Sequence, residues 1–221
     1  MDYVSSRPEL DGRIMHGTTT LAVVCRDGIV LGADTRVTAG YFIAHKKGRK
    51  IFEITPGIAL SIAGVVADAQ AIIDSLKYNV RLYELKNRRR MNVRSAARLL
   101  SYILHQNRLF PLITELLVAG MDDGMFSLYR LDPFGSLIKD DYSVTGSGSP
   151  IAIGLLESEY KKDLPTDEGV RLVAKALISA MQRDIGSGND FDIMVIRKDG
   201  ITELDDREKH VLAKRTMDVT T

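Results

Sequence analysis

Between Leu21 and Leu204, short β-rich runs come in groups joined by turn residues, and segments of helical period interrupt the groups twice. Leu21–Arg26 and Gly28–Asp34 flank Asp27-Gly28, and Thr114–Met121 and Met125–Asp132 flank Asp122-Asp123-Gly124. Phe191–Arg197 and Ile201–Leu204 flank Lys198-Asp199-Gly200. Asp-Gly between two such runs predicts a tight hairpin, hence antiparallel neighbours. Further strands are predicted at Tyr41–Ala44, Lys50–Ile54, Ile58–Ala63, Ser136–Lys139 and Tyr142–Thr145. The period changes at Val65: Ala69, Ile73, Leu76, Val80 and Tyr83 predict a helix to Lys86. A second helix follows over Val93–Leu109, capped by Asn92 and closed by Pro111. The loop Gly146-Ser147-Gly148-Ser149-Pro150 leads into a helix reaching Tyr160. Thr166 or Asp167 caps the next one, whose stripe is Val170, Val173, Leu177 and Met181. The tail from Asp205 is charged and reads as peripheral. Two packed antiparallel sheets with helices on their outer faces would bury this apolar content, which makes the chain a single α+β domain.

Composition narrows the function classes. A length of 221 residues allows a real core, and a net charge of +1 gives no reason to expect nucleic acid or an anionic membrane as partner. One cysteine, Cys25, excludes an intrachain disulfide and fits a reducing compartment; its apolar setting marks it as structural. No apolar run approaches a membrane span, and the N-terminus lacks an apolar signal region, so a cytoplasmic location is expected. The four histidines, at 16, 45, 105 and 210, have no metal-ligand spacing, so neither metal nor organic cofactor is expected. Gly146-Ser147-Gly148-Ser149 lacks the Gly-Lys-Ser/Thr ending of a phosphate loop and is not read as one.

The junction Gly17-Thr18-Thr19-Thr20 carries the chemistry. Residues 1–16 have no period and little to bury, and Thr18 opens an apolar strand. Cleavage after Gly17 would make Thr18 a new N-terminus. A threonine hydroxyl needs a base, and an α-amine on the same residue, titrating at about 7.7–8.0, can serve. The same stretch also reads as a plain β-branched strand entry. Asp34 alone reads as a turn residue, and Lys46–Lys50 as a solvated basic loop.

Six motifs in order change the balance: Gly17-Thr18-Thr19-Thr20, Gly32-Ala33-Asp34-Thr35-Arg36, Gly48-Arg49-Lys50-Ile51, Ser61-Ile62-Ala63-Gly64, Gly146-Ser147-Gly148-Ser149, and Arg183-Asp184-Ile185-Gly186-Ser187-Gly188. Together they resemble a proteasome β-subunit of the archaeal catalytic type, from about Gly17 to Leu204. The resemblance implies the four-layer αββα sandwich of N-terminal-nucleophile hydrolases. It also implies a threonine endopeptidase whose residues 1–17 are a propeptide removed by self-cleavage of Gly17-Thr18.

Site roles follow from the same resemblance. Thr18 is the nucleophile, Lys50 lies beside its hydroxyl, and Asp34 orients Lys50. The Gly64 N–H is the oxyanion donor, and Ser147, Asp184 and Ser187 surround the terminal amine. Val37, Gly48, Phe52, Ile62 and Val66 form an apolar substrate pocket. Seven-membered β-rings stacked back to back, α-subunit rings and an ATP-driven unfoldase are the implied partners, with unfolded polypeptide as substrate. A non-catalytic ring subunit or another N-terminal-nucleophile hydrolase are the competing readings; a pure binding module leaves Thr18, Asp34 and Lys50 without a purpose.

Overall fold

The computed structural model describes residues 17–218. The expected leader at residues 1–16 lies outside the described residues. Two five-stranded antiparallel sheets form the centre. The first runs, in spatial order, β10 (Tyr142–Gly146), β1 (Thr19–Val24), β2 (Ile29–Asp34), β11 (Phe191–Arg197), β12 (Gly200–Glu203). The second runs β5 (Ile51–Thr55), β6 (Ile58–Gly64), β7 (Thr114–Asp122), β8 (Met125–Leu131), β9 (Leu137–Asp140). A two-stranded ribbon, β3 (Val37–Ala39) with β4 (Phe42–His45), projects between them in sequence; β3 was not expected.

Three apolar clusters define the layers. Ala22, Leu31, Ala33, Met194 and Ile196 of the first sheet meet Ala59, Leu117, Ala119 and Leu128 of the second. On the opposite face of the first sheet, Leu21, Val23, Ile193 and Val195 pack under α3 (Ser149–Glu159) and α4 (Thr166–Arg183). On the outer face of the second, Leu60, Ile62, Leu116 and Val118 pack under α1 (Val66–Asn87) and α2 (Val93–Gln106). The order is αββα. The period-two alternation sends neighbouring residues of a strand to different cores, so Leu21–Val24 of β1 and Ile29–Ala33 of β2 read as continuous apolar runs. Among the described residues no helix is long and apolar enough to cross a membrane.

Helix ends follow local chemistry, with two corrections and one addition. Asn92 caps α2 as expected, accepting the Ser95 N–H at 2.7 Å, but the helix stops at Gln106 rather than Leu109. Neither Thr166 nor Asp167 caps α4. Its N-cap is Pro165, which has no side-chain acceptor, and Asp27 from the β1–β2 turn accepts both the Thr166 N–H (3.0 Å) and its hydroxyl (2.8 Å). Those bonds hold the Asp27 carboxyl below its ordinary range. The charged tail is a helix, α5 (Asp206–Asp218), whose Leu212 and Ala213 pack against the α3–α4 core. Asp205 and Glu208 start it with a reciprocal pair of 2.8 Å bonds, a capping box.

Cys25 is 5% exposed and sits against Gly169, where an added Cβ would lie 2.4 Å from its Sγ. Burial, helped by the Asp27 charge, pushes its thiol from the usual 9.0 to about 12. A raised folded-state pKa favours the neutral thiol. Its contribution to stability is therefore complete below 9.0 and is lost as pH rises toward about 12. The folded protein is expected to resist alkylation at mildly alkaline pH and to react once denatured, read by intact mass. Rapid labelling of the folded chain would contradict this burial.

Candidate active site

Strand topology gathers the site at one edge of the sandwich. Thr18 immediately precedes β1, and Asp34 ends β2, which is antiparallel to β1 with Thr20 opposite Ala33. Gly146 ends β10 opposite Thr19, which brings Ser147 to the same edge. Phe191 opens β11 opposite Asp34, so the preceding loop with Ser187 arrives there too. Asp184 is the C-cap of α4. From the second sheet come Lys50, just ahead of β5, and Gly64, the last residue of β6.

Asp34 is the electrostatic hub. Its side chain is fully buried, and its Oδ1 accepts from Lys50 Nζ at 2.7 Å and from the Thr19 N–H at 2.8 Å. Its Oδ2 accepts the N–H groups of Arg36 and Gly188, both at 3.0 Å. Four donors on two oxygens satisfy a carboxylate that could not otherwise be buried. Lys50 is 7% exposed. Burial pulls its ammonium below the ordinary lysine range, opposed by the attraction of Asp34.

A second network lies on the other side of Thr18. The half-buried Asp184 accepts the hydroxyls of Ser147 and Ser187 on Oδ2, each at 2.6 Å, and the Gly186 N–H on Oδ1 at 3.1 Å. A hydroxyl has one proton, and these short bonds to a carboxylate claim both. Ser147 Oγ is thereby left to accept the Thr18 N–H, at 3.1 Å, and Ser187 Oγ to accept from Thr19 Oγ1, at 2.7 Å.

The Thr18 hydroxyl donates to the carbonyl oxygen of Gly17 at 2.6 Å, and the Gly17 N–H donates to Thr38 Oγ1 at 2.8 Å. Thr18 is 4% exposed. Glycine at 17 is required for space rather than for an unusual φ: an added Cβ would lie 1.9 Å from the Gly186 Cα. Gly64 is directed by the alternation of β6. The Ile62 N–H reaches Lys50 O at 3.0 Å, so the Gly64 N–H points to the same side two residues on, beyond the start of β5.

Thr18, Lys50 and Gly64 line one cavity of about 450 Å³. Val37, Gly48, Phe52, Ile62 and Val66 line it too, with Ala69 and Ile73 completing an apolar floor. Arg36, His45, Lys47 and Arg49 form its rim. A larger groove, about 1190 Å³ between α4, α5 and β12, holds none of the expected site residues. Sequence reasoning missed Thr38 and gave Arg36 no role. Arg36 donates to Asn189 Oδ1 (3.0 Å) and Ile185 O (2.8 Å), clamping the loop that carries Ser187. It stands inside the run Gly32–Arg36, whereas Thr38 had no distinguishing signal.

Comparison with known proteins agrees along most of the chain. The family model described as Proteasome subunit matches residues 14–196. Proteasome subunit beta 2 of Hyperthermus butylicus is 44% identical over 200 residues, covering 90% of this chain and 94% of that protein. Proteasome subunit beta 2 of Nitrosopumilus maritimus is 42% identical over 200 residues, 90% and 95% of the two chains. Proteasome subunit beta of Methanocaldococcus vulcanius is 44% identical over 197 residues, 88% of each. Similarity of that extent, over a two-sheet sandwich that converges on a buried threonine, places this chain in the proteasome subunit family, as a β-subunit.

Proposed function

We propose that this subunit is a threonine endopeptidase, made active when it cleaves its own Gly17-Thr18 bond. The observation that carries the reading is the Thr18 hydroxyl at 2.6 Å from the Gly17 carbonyl oxygen, beside a cavity it shares with Lys50. In the first step Thr18 Oγ1 adds to the Gly17 carbonyl carbon. The C–N bond breaks, and the hydroxyl proton passes to the departing nitrogen, leaving an ester. That break already frees the Thr18 amine; water then hydrolyses the ester, releasing residues 1–17 as a carboxylate and restoring the Thr18 hydroxyl.

The same oxygen attacks peptide substrates once the amine exists. That amine is the base, since the amide nitrogen of the uncut chain cannot take a proton at neutral pH. Lys50 places positive charge near the hydroxyl and lowers its pKa, while Asp34 fixes the lysine. Ser147, with Asp184 and Ser187 behind it, holds the nitrogen. The Gly64 N–H would stabilise the oxyanion, a contribution of about 3–4 kcal/mol for a preorganised donor. The apolar floor of the cavity suits cleavage after apolar residues.

Family membership implies assembly in the proteasome core rings. Seven-membered β-rings stacked in a pair, closed by α-rings and fed unfolded chains by an ATP-dependent unfoldase, extend the proposal. The direct test is the intact mass of the chain after assembly with α-type subunits, combined with hydrolysis of a peptide series. Loss of Met1–Gly17 and strongest cleavage after apolar residues are expected. A fully assembled particle retaining all 221 residues would make this a structural subunit.

A further inference from the structure

A contact across the sandwich closes on the serine of the site. In the β6–β7 pair, Gly64 lies opposite Thr114 and Ala63 opposite Glu115. Side chains alternate along β7, so Glu115 shares the face of Leu117 and Ala119, which pack between the sheets. Its Oε2 accepts the Gly146 N–H from the other sheet at 3.0 Å, and the Arg130 guanidinium lies 3.6 Å from its Oε1. Gly146 is the last residue of β10 and directly precedes Ser147. It has a φ of +92°, and an added Cβ would lie 2.2 Å from the Thr18 carbonyl oxygen. The turn that presents Ser147 is thus pressed against Thr18 on one side and anchored by a carboxylate of the opposite sheet on the other.

We infer that Glu115 is a positioning residue, tying the strand pair that carries Gly64 to the turn that carries Ser147. Its hydrogen bond goes to Gly146 and its ion pair to Arg130, not to Thr18. Its effect is to set where the Ser147 hydroxyl, and so the Thr18 nitrogen, stands relative to the Gly64 N–H. A hydrogen bond to a carboxylate is about twice as strong as a neutral one. Losing the acceptor frees the Gly146 amide, and a misplacement of about 1 Å at a reacting group costs on the order of a hundredfold in rate. The inference rests on the Thr18 chemistry proposed above.

The test compares E115A and E115Q in the full chain assembled with α-type subunits, by peptide hydrolysis, thermal unfolding and hydrogen exchange across residues 142–148. E115A is expected to lower kcat by about tenfold or more, with KM within about twofold, and to speed exchange at Gly146. E115Q keeps an acceptor oxygen and is expected to stay within about threefold of the parent in both readouts. Unchanged kcat or unchanged exchange in E115A would overturn the inference, as would an E115Q loss equal to that of E115A or a kcat loss tracking a fall in Tm. An inactive parent particle would instead overturn the threonine peptidase reading. The exchange measurement would still decide whether Glu115 holds the turn.

Discussion

Replacing Thr18 with alanine is expected to leave residues 1–17 attached and to lower peptide hydrolysis by roughly four orders of magnitude or more, the scale of losing a nucleophile. The fold should survive. The hydroxyl's hydrogen bond goes to the Gly17 carbonyl, a local contact worth about 1 kcal/mol, and the strand pairing of β1 with β10 and β2 starts at Thr19 and does not use the Thr18 side chain. Activity and stability therefore separate in this variant, and both can be read from one preparation by intact mass, a peptide substrate and a denaturant titration. Trimming of the variant at the same bond, without another protease present, would remove self-cleavage from the mechanism. Ordinary peptide hydrolysis by the variant would remove Thr18 as nucleophile.

The buried pair of Asp34 and Lys50 gives the second large effect, here on stability and activity together. Asp34→Ala leaves the Lys50 ammonium and the N–H groups of Thr19, Arg36 and Gly188 without their acceptor. Breaking a buried pair in this way costs about 3–5 kcal/mol. Lys50→Met is expected to cost less, about 1–3 kcal/mol, because the carboxylate keeps three backbone donors. Both variants should fail to process and to cleave peptides. The order of destabilisation, alanine at 34 worse than methionine at 50, is what denaturant midpoints would check. Equal midpoints for the two variants and the parent would mean that Asp34 does not organise this end of the sandwich.

Hairpins and layers were legible because they depend on neighbours in sequence. The Asp27-Gly28 turn, the break of period at Val65 and the Asn92 cap each follow from a few adjacent residues, and the structure has all three. One error arose where a distant group took over a local role. Thr166 looked like a cap, yet the acceptor is Asp27, 139 residues away. The tail is peripheral, as its charge suggests, and the helix it forms went unpredicted although Asp205 and Glu208 spell a capping box and Leu212 and Ala213 supply a face to pack.

The residues of the candidate site were nameable from motifs, and their separation in the chain explains why their relations were not. Thr18 meets Ser147 across 129 positions and Thr19 meets Ser187 across 168. Sequence alone determined most of the strands and helices, β3 and α5 excepted, since propensity, period and turn chemistry act over a few residues. It also determined that a hydroxyl, a lysine and several carboxylates were available. Tertiary structure decided that Asp34 would carry four donors, that Gly17 would press on Gly186, and that Glu115 would reach Gly146. Those contacts exist because two sheets pack face to face and bring remote strand ends to one edge, where burial makes every unpaired polar group costly and so selects its partner.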